Sequence, residues 1–258
     1  MRGDVTKPET LRGVGTGCDV AYYLVHLMGR GSDGDFHSQE AEAAGNFARM
    51  ARDEGLERVI YLGGLGDPSV SQHLRSRHET AEVLREHGPP LTYFRAAMVV
   101  GAGSESYRTV RYLVQRLPAM IAPSWLKTPT QPVGVDDVVE YLRMAPETQG
   151  SRGREVQIGG PDVTTYGGML DAMADALEVR RRPRVPVPLL TPKLSSLWIG
   201  LVTPVDAGVA RPLIESLASP TVVTDSSGMD LFTIEPMPFR QALEQAVAEE
   251  LGAVPTGA

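Results

Sequence analysis

An unbroken apolar run at residues 20–25 constrains the fold of this chain more than any other feature. The run reads Val-Ala-Tyr-Tyr-Leu-Val and lies between Asp19 and His26. Such runs are typical of parallel strands that are covered on both faces. No strand-like segment precedes it, and the run has none of the charges or prolines that usually disguise an exposed edge. We therefore expect it to belong to a larger sheet.

Strand-like and helix-like segments alternate after this run. Helix patterns cover residues 36–51 and 75–86, and strand patterns cover residues 58–62 and 91–95. This alternation is typical of crossover units in a mostly parallel sheet with helices on both faces. The sequence therefore predicts an α/β fold, in which ligands bind along the carboxyl edge of the strands.

The second half of the chain is less regular and predicts a small lobe laid over that edge. Amphipathic helix patterns recur there, and a last strand pattern covers residues 155–158. Helices of this kind bury one face against a neighbouring element. We place a sheet domain at residues 1–160, a helical lobe at residues 161–252 and a disordered tail at residues 253–258.

Charge and composition exclude several classes of function. The net charge is −7, and the basic residues are scattered apart from a short cluster at residues 180–184, which argues against a nucleic-acid surface. The single cysteine, Cys18, excludes an internal disulfide and a cysteine-based zinc site, and we expect it to pack as a small hydrophobic residue. The five histidines lack a metal-ligand spacing. We expect a cytoplasmic protein with no metal, no nucleic-acid partner and no integral membrane segment.

Seven segments occur in an order that is specific to one family. They are residues 3–9, 21–26, 36–51, 60–64, 73–77, 91–101 and 131–138. Together they resemble the atypical short-chain dehydrogenase/reductases, in particular the extended-like NAD(P)H-binding branch related to NmrA-type sensors and to the accessory NAD(P)H-binding subunit of respiratory complex I. The resemblance covers nearly the whole chain. It implies that residues 1–160 form a partial NAD(P)-binding, Rossmann-like domain.

The resemblance also implies an amino-terminal truncation. The family normally has a first strand, a Gly-x-x-Gly-x-x-Gly turn and a second strand upstream, and this chain lacks them. That turn brings backbone N–H groups against the pyrophosphate, so its loss weakens the expected affinity for the cofactor. The glycines at residues 13–17 precede a strand instead of following one, and we interpret them as a loop.

NAD or NADP is the cofactor that the resemblance implies, and it suggests which residues would contact it. Asp4 would meet the adenine amino group, residues 24–26 the ribose and pyrophosphate, and residues 95–98 the nicotinamide. Alternatively, Asp4 is a turn residue, His26 a strand-end cap, and Arg95 a partner of a nearby acid. The complete predicted set is Asp4, Val5, Leu24, Val25, His26, Gly63, Arg77, Arg95, Ala96, Ala97 and Met98.

The residues for catalysis depart from the family's pattern. Active members use Tyr-x-x-x-Lys, in which the lysine lowers the pKa of the tyrosine, and this chain has His73 and Arg77 in those places. Arginine can hold ribose hydroxyls but does not replace lysine, and histidine titrates far below tyrosine. Gly63 and Gly64 occupy the place of the usual serine or threonine. We predict no standard mechanism, and His73 is either an unconventional acid or a solvent-facing residue at a helix start.

Three hypotheses about function follow. The first is an NAD(P)H-binding protein, in some form an oxidoreductase or epimerase-like enzyme with a small-molecule substrate. The second is a non-catalytic NAD(P) sensor or assembly protein without a substrate. The third is a truncated product with impaired cofactor binding, whose exposed edge leads to aggregation or a homo-oligomer and whose solubility a Tyr23→Lys substitution improves.

Overall fold

The centre of the molecule is a parallel sheet of four strands. The computed structural model describes residues 2–26, 36–116, 120–122, 124–186 and 217–252. The strands in chain order are β1 (Val20–Tyr23), β2 (Arg58–Gly64), β3 (Leu91–Ala96), β4 (Val99–Val100), β5 (Met120–Ala122), β6 (Pro129–Thr130), β7 (Val133–Gly134), β8 (Glu155–Ile158), β9 (Thr164–Thr165) and β10 (Arg184–Pro186). The sheet has the order β1-β2-β3-β8, and the other strands form short pairs.

Helices cover both faces of this sheet. They are α1 (Phe36–Asp53), α2 (Gln72–His87), α3 (Glu105–Arg116), α4 (Val135–Met144), α5 (Tyr166–Ala176) and α6 (Phe239–Glu250). Side chains alternate between the faces of a strand, so Val59 and Tyr61 pack under α1 and α2, whereas Ile60 packs with Val138 and Tyr141 of α4. The predicted α/β fold with a mostly parallel sheet is confirmed.

A row of three tyrosines joins the first three strands. Tyr23 lies beside Tyr61 in the register of β1 and β2, and Tyr61 lies beside Tyr93 in that of β2 and β3. Their ring centroids are 6.0 Å and 5.3 Å apart, and all three side chains are buried. Contact between aromatic rings in neighbouring strands stabilises a sheet. The row therefore fixes the edge strand β1 to the rest of the sheet.

A second core forms the lobe over the carboxyl edge of the sheet. It draws on Tyr107 and Leu113 of α3, Leu170 of α5 and Leu243 of α6. Because α3 precedes β8 in the chain, the packing of the lobe begins before residue 161. The domain boundary after residue 160 stays a prediction.

Several predicted details differ from the structure. The run at residues 20–25 is not covered on both faces, since Leu24 is 49% exposed and the strand ends at Tyr23. Helix α2 begins at Gln72 and not at residue 75. Cys18 is exposed, so its predicted packing is wrong. The predicted tail at residues 253–258 lies outside the described residues.

In the described ranges, no helix is both long enough and apolar enough to cross a membrane.

Candidate functional site

A cavity of about 160 Å³ lies where the carboxyl edge of the sheet meets the lobe. The sheet side of its wall consists of the residues that follow β2 and β3 and of the first turn of α2. The lobe side consists of residues from α3 and α5 and from two connecting segments. These wall residues are Gly64, Leu65, His73, Leu74, Ala96, Ala97 and Met98 on the sheet side, and Ser106, Thr109, Val110, Leu113, Trp125, Tyr166, Leu170, Leu217 and Thr221 on the lobe side.

The sheet side of this wall includes the small residues Gly64, Ala96 and Ala97, and packing explains the glycines at the end of β2. A Cβ atom on Gly63 would lie 2.8 Å from a ring carbon of Tyr93, and one on Gly64 would lie 2.9 Å from Leu74 Cδ2. Real Cβ atoms do not approach other atoms so closely, because cores are packed at high density. Gly64 therefore lets α2 lie close against the end of β2, and Gly63 leaves room for the Tyr93 ring. Of the two, Gly64 lines the cavity.

His73 lies in the wall of the cavity, at the start of α2. The interpretation of His73 as a solvent-facing residue is therefore wrong, because the residue is half-buried and forms part of the cavity wall. Burial, and then the charge of Arg77, lower the pKa of His73 to about 4. At neutral pH the ring is therefore uncharged and offers one N–H donor and one acceptor nitrogen.

Arg77 lies one helical turn further along α2 and is buried. One of its Nη atoms contacts the ring of His26, which follows β1. Loss of hydration, then the positive charge of Arg77 and the proximity of His73, lower the pKa of His26 to about 3, although the residue is exposed at the surface. The structure thus brings together three of the predicted residues, His26, His73 and Arg77, beside the carboxyl end of the sheet.

Arg95 serves the structure of the edge. Its Nη1 lies 2.8 Å from Glu155 Oε1, its Nε donates to the carbonyl of Gly64 over 3.3 Å, and its Nη2 donates to the carbonyl of Gly66. These bonds fix the turn after β2 against β3 and β8. The alternative interpretation, an arginine paired with a nearby acid, agrees with this geometry. The next three residues, Ala96, Ala97 and Met98, all line the cavity.

The other predicted contacts lie away from the cavity. Asp4 Oδ1 accepts hydrogen bonds from the backbone N–H and the hydroxyl of Thr6, which is the turn role given as its alternative. The Val5 carbonyl accepts a hydrogen bond from Asn46 of α1 over 3.0 Å. Leu24 is exposed, and Val25 packs with the core under α1 and α2.

The glycines at residues 13–17 lie at the amino end of β1, as the loop interpretation predicts. Gly13 and Gly17 have positive φ values of 77° each. The N–H of Gly13 donates to the carboxylate of Glu54. Since an acidic group occupies this turn, it does not fit a phosphate.

Several wall residues are not identified by the sequence. Val110 and Leu113 belong to an amphipathic pattern that predicts core, and Tyr166 belongs to another. Trp125 and Thr221 come from segments without periodicity. Only the packing of α3 and α5 over the sheet makes these residues part of one site, and no local signal indicates it.

Among known proteins, no family model matches the chain. A relative in Arabidopsis thaliana, named NADH dehydrogenase (ubiquinone) 1 alpha subcomplex subunit 9, mitochondrial, is 25% identical over 194 residues. The matched region is 73% of this chain and 48% of that protein, so the chain spans about half the length of this relative.

Solved structures share the fold over nearly all of the chain. A nucleoside-diphosphate-sugar epimerase from Staphylococcus aureus has a TM-score of 0.73 and 12% identity, with 94% of this chain and 82% of that one covered. The Citrobacter sp. triphenylmethane reductase complexed with NADP(H) has a TM-score of 0.68 and 16% identity, with 95% and 82% covered. The Bordetella bronchiseptica enzyme WbmH in complex with NAD⁺ has a TM-score of 0.69 and 16% identity, with 96% and 81% covered.

The chain shares the Rossmann-like α/β fold of these epimerases and reductases. The resemblance predicted from the sequence is confirmed at this level, and the name of the plant relative agrees with the predicted branch.

The structure shows where the residues lie that depart from the usual short-chain dehydrogenase/reductase pattern. His73 lines the cavity, where its neutral ring can hydrogen-bond to an oxygen of a bound molecule. Arg77 lies beneath it against His26 and away from the cavity wall. Gly64 lies at the strand end where the family usually has a serine or threonine, and it supplies no side chain. The described wall offers two titratable side chains, His73 and Tyr166. The Tyr166 hydroxyl lies 3.4 Å from Thr221 Oγ1, which leaves His73 as the first candidate for chemistry.

Proposed function

We propose that the chain binds NAD(H) or NADP(H) along the carboxyl edge of the sheet and reduces a small molecule held in the cavity. The observation that carries this proposal is the position of Gly64, Ala96 and Ala97, small residues that separate the strand ends from the cavity. A flat nicotinamide ring needs such small neighbours. The bound nucleotide would supply a hydride to the carbonyl carbon of the substrate, the neutral His73 would donate a hydrogen bond to the carbonyl oxygen, and a proton from water would complete the alcohol.

The other predicted contacts are compatible with this proposal. Leu24, Val25 and His26 end the neighbouring strand β1, where a ribose and a pyrophosphate would lie, and Arg77 reaches His26 from α2. Asp4 would meet the adenine. In the described residues, the glycine turn at residues 13–17 does not supply a phosphate site, so affinity would depend on contacts at the strand ends.

A non-catalytic NAD(P) sensor or assembly protein is the second candidate. His73 and Arg77 favour this candidate, because they stand in the places of the tyrosine and the lysine that active members of the resembled family use. A sensor would bind the nucleotide without turnover on any carbonyl or quinone acceptor. The cytoplasmic location and a homo-oligomer remain predictions.

Titration of the purified chain with NADPH and NADH, followed by nicotinamide fluorescence, tests the proposal. We expect saturable binding, and we expect an Ala97→Leu substitution to weaken it at least tenfold because the larger side chain would fill the space for the ring. Ala102→Leu, in the loop after β4 and outside the cavity wall, is the matched control. Absence of binding by the folded chain, or an equal effect of both substitutions, contradicts the proposal.

A further inference from the structure

We infer that Ser106 determines which substrates the cavity accepts, by binding a polar group that lies apart from the carbonyl group held by His73. The substrate class is then a hydroxyketone, or a similar carbonyl compound with a second hydrogen-bonding oxygen on an apolar body. This inference rests on the proposed function in treating the cavity as the substrate site. Three features lead to it: the face that α3 turns to the cavity, the bonds of the wall hydroxyls, and the position of Ser106 relative to His73.

One face of α3 lines the cavity. The wall residues from this helix are Ser106, Thr109, Val110 and Leu113. Their spacing of i, i+3, i+4 and i+7 places them on the same side of a helix. At a rise of 1.5 Å per residue, this face extends about 10 Å along the helix axis. It begins with two hydroxyl residues and ends with two apolar ones, so it suits a molecule with a hydrogen-bonding group at one end and an apolar body beside it.

The Ser106 side chain is accessible to a bound molecule. Ser106 is half-buried and lies in the first turn of α3, on the lobe side of the cavity wall. Within the described part of the chain, its hydroxyl group makes no hydrogen bond to another residue. A serine hydroxyl has one hydrogen and two lone pairs. Ser106 can therefore donate to an oxygen of a ligand or accept from a hydroxyl group of a ligand.

Three other hydroxyl groups of the wall take part in hydrogen bonds within the protein. Thr109 Oγ1 donates to the backbone carbonyl four residues earlier over 2.8 Å. Thr221 Oγ1 donates to Thr130 Oγ1 over 2.8 Å, and the Tyr166 hydroxyl lies 3.4 Å from Thr221 Oγ1. A ligand that took the hydrogen of one of these groups would replace an existing bond, so the net gain would be small. Ser106 has no such bond to give up.

Ser106 and His73 lie on different sides of the cavity. His73 belongs to the sheet side, together with Ala96 and Ala97 at the strand ends, whereas Ser106 belongs to the lobe side. In the proposed reaction, the carbonyl carbon that accepts the hydride lies on the sheet side. Ser106 therefore contacts a part of the substrate away from the reacting carbon. Its bond affects which molecule binds and not the transfer of the hydride.

Two ring ketones of similar shape, 4-hydroxycyclohexanone and 4-methylcyclohexanone, test this inference. Both have the carbonyl group, and they differ only in a hydroxyl or a methyl group at the opposite end of the ring. We expect both to bind. Ser106→Ala should weaken the binding of the hydroxy compound about threefold to tenfold, which corresponds to the loss of one hydrogen bond. It should leave the affinity for the methyl compound within twofold. Titrations followed by protein NMR shifts measure both dissociation constants.

Ser69→Ala is the matched control, since it makes the same change in an exposed loop outside the cavity wall and should alter neither affinity. Ser106→Thr keeps the hydroxyl group and should hold the affinity for the hydroxy compound within twofold of the original chain. An equal effect of Ser106→Ala on both compounds, or no saturable binding of the hydroxy compound to the folded chain, overturns the inference. NADPH binding is recorded separately by nicotinamide fluorescence. Its absence alone contradicts the proposed function and leaves the role of Ser106 in ligand binding standing.

Discussion

At the scale of single residues, the chemistry of the site depends on His73. The sequence shows that a histidine stands where the family usually has a tyrosine, and the helix pattern predicts that Arg77 lies one turn further along. It does not predict that the ring faces a cavity, because that depends on where α2 starts and on the lobe above it. Trp125 shows the same limit, since only the packing of the lobe makes it part of the cavity wall.

The lowered pKa of His73 makes stability depend on pH. In the unfolded chain a histidine titrates near its ordinary value of 6.5, whereas in the folded chain the pKa is about 4. The folded state therefore binds fewer protons between these values, and the contribution of His73 to stability is complete above pH 6.5 and is lost as the pH falls toward 4. The slope is at most about 1.4 kcal/mol per pH unit for one proton.

A His73→Gln substitution should therefore flatten the fall in stability between pH 6.5 and pH 4.5. Urea unfolding at several pH values measures the free energy of unfolding of both proteins. His87→Gln, at the far end of α2, serves as the control. Parallel curves for the original chain and His73→Gln are inconsistent with a buried neutral ring.

At the scale of elements, the sequence predicts the sheet well and the lobe poorly. The sequence reveals β2 and β3 as apolar runs because both of their faces are buried, and it reveals α2 by its helical period because one face is buried. The lobe is instead stabilised by contacts between segments that are far apart in the sequence. One of them is the bond in which Asp162 Oδ2 accepts from the N–H of Phe239 over 2.7 Å, at the first residue of α6.

We expect Asp162→Ala to lower the free energy of unfolding by about 1 kcal/mol. The substitution removes the acceptor of the Phe239 N–H at the helix start, and it also removes a negative charge that the helix dipole favours there. Asp162→Asn keeps an acceptor and should cost less. Chemical unfolding of the two variants side by side measures the difference. Equal losses would mean that the carboxylate acts through its charge and not through this bond.

At the scale of the whole molecule, the unpaired side of β1 is the edge through which we predict that copies of the chain associate. In the described part of the chain, β1 pairs with β2 alone, as the sequence predicts. The predicted improvement in solubility by Tyr23→Lys is wrong in its choice of residue, because Tyr23 is 1% exposed and belongs to the tyrosine row. A lysine there would place a charge in the core.

Leu24→Lys is the substitution that suits this edge, since Leu24 is exposed at the end of β1. A charge beside an open strand disfavours pairing with a second strand. Sedimentation velocity should show less self-association for Leu24→Lys than for the original chain, with an unchanged circular dichroism spectrum. A chain that is monomeric at all concentrations before substitution argues against pairing through this edge.

The central claim is that a dinucleotide lies along the carboxyl edge of the sheet, and hydrogen–deuterium exchange with and without NADPH tests it most directly. We predict slower exchange in residues 62–66 and 95–98 when NADPH is added, with little change in the lobe helix α6. Unchanged exchange at these strand ends, or protection confined to residues 13–17, contradicts the account.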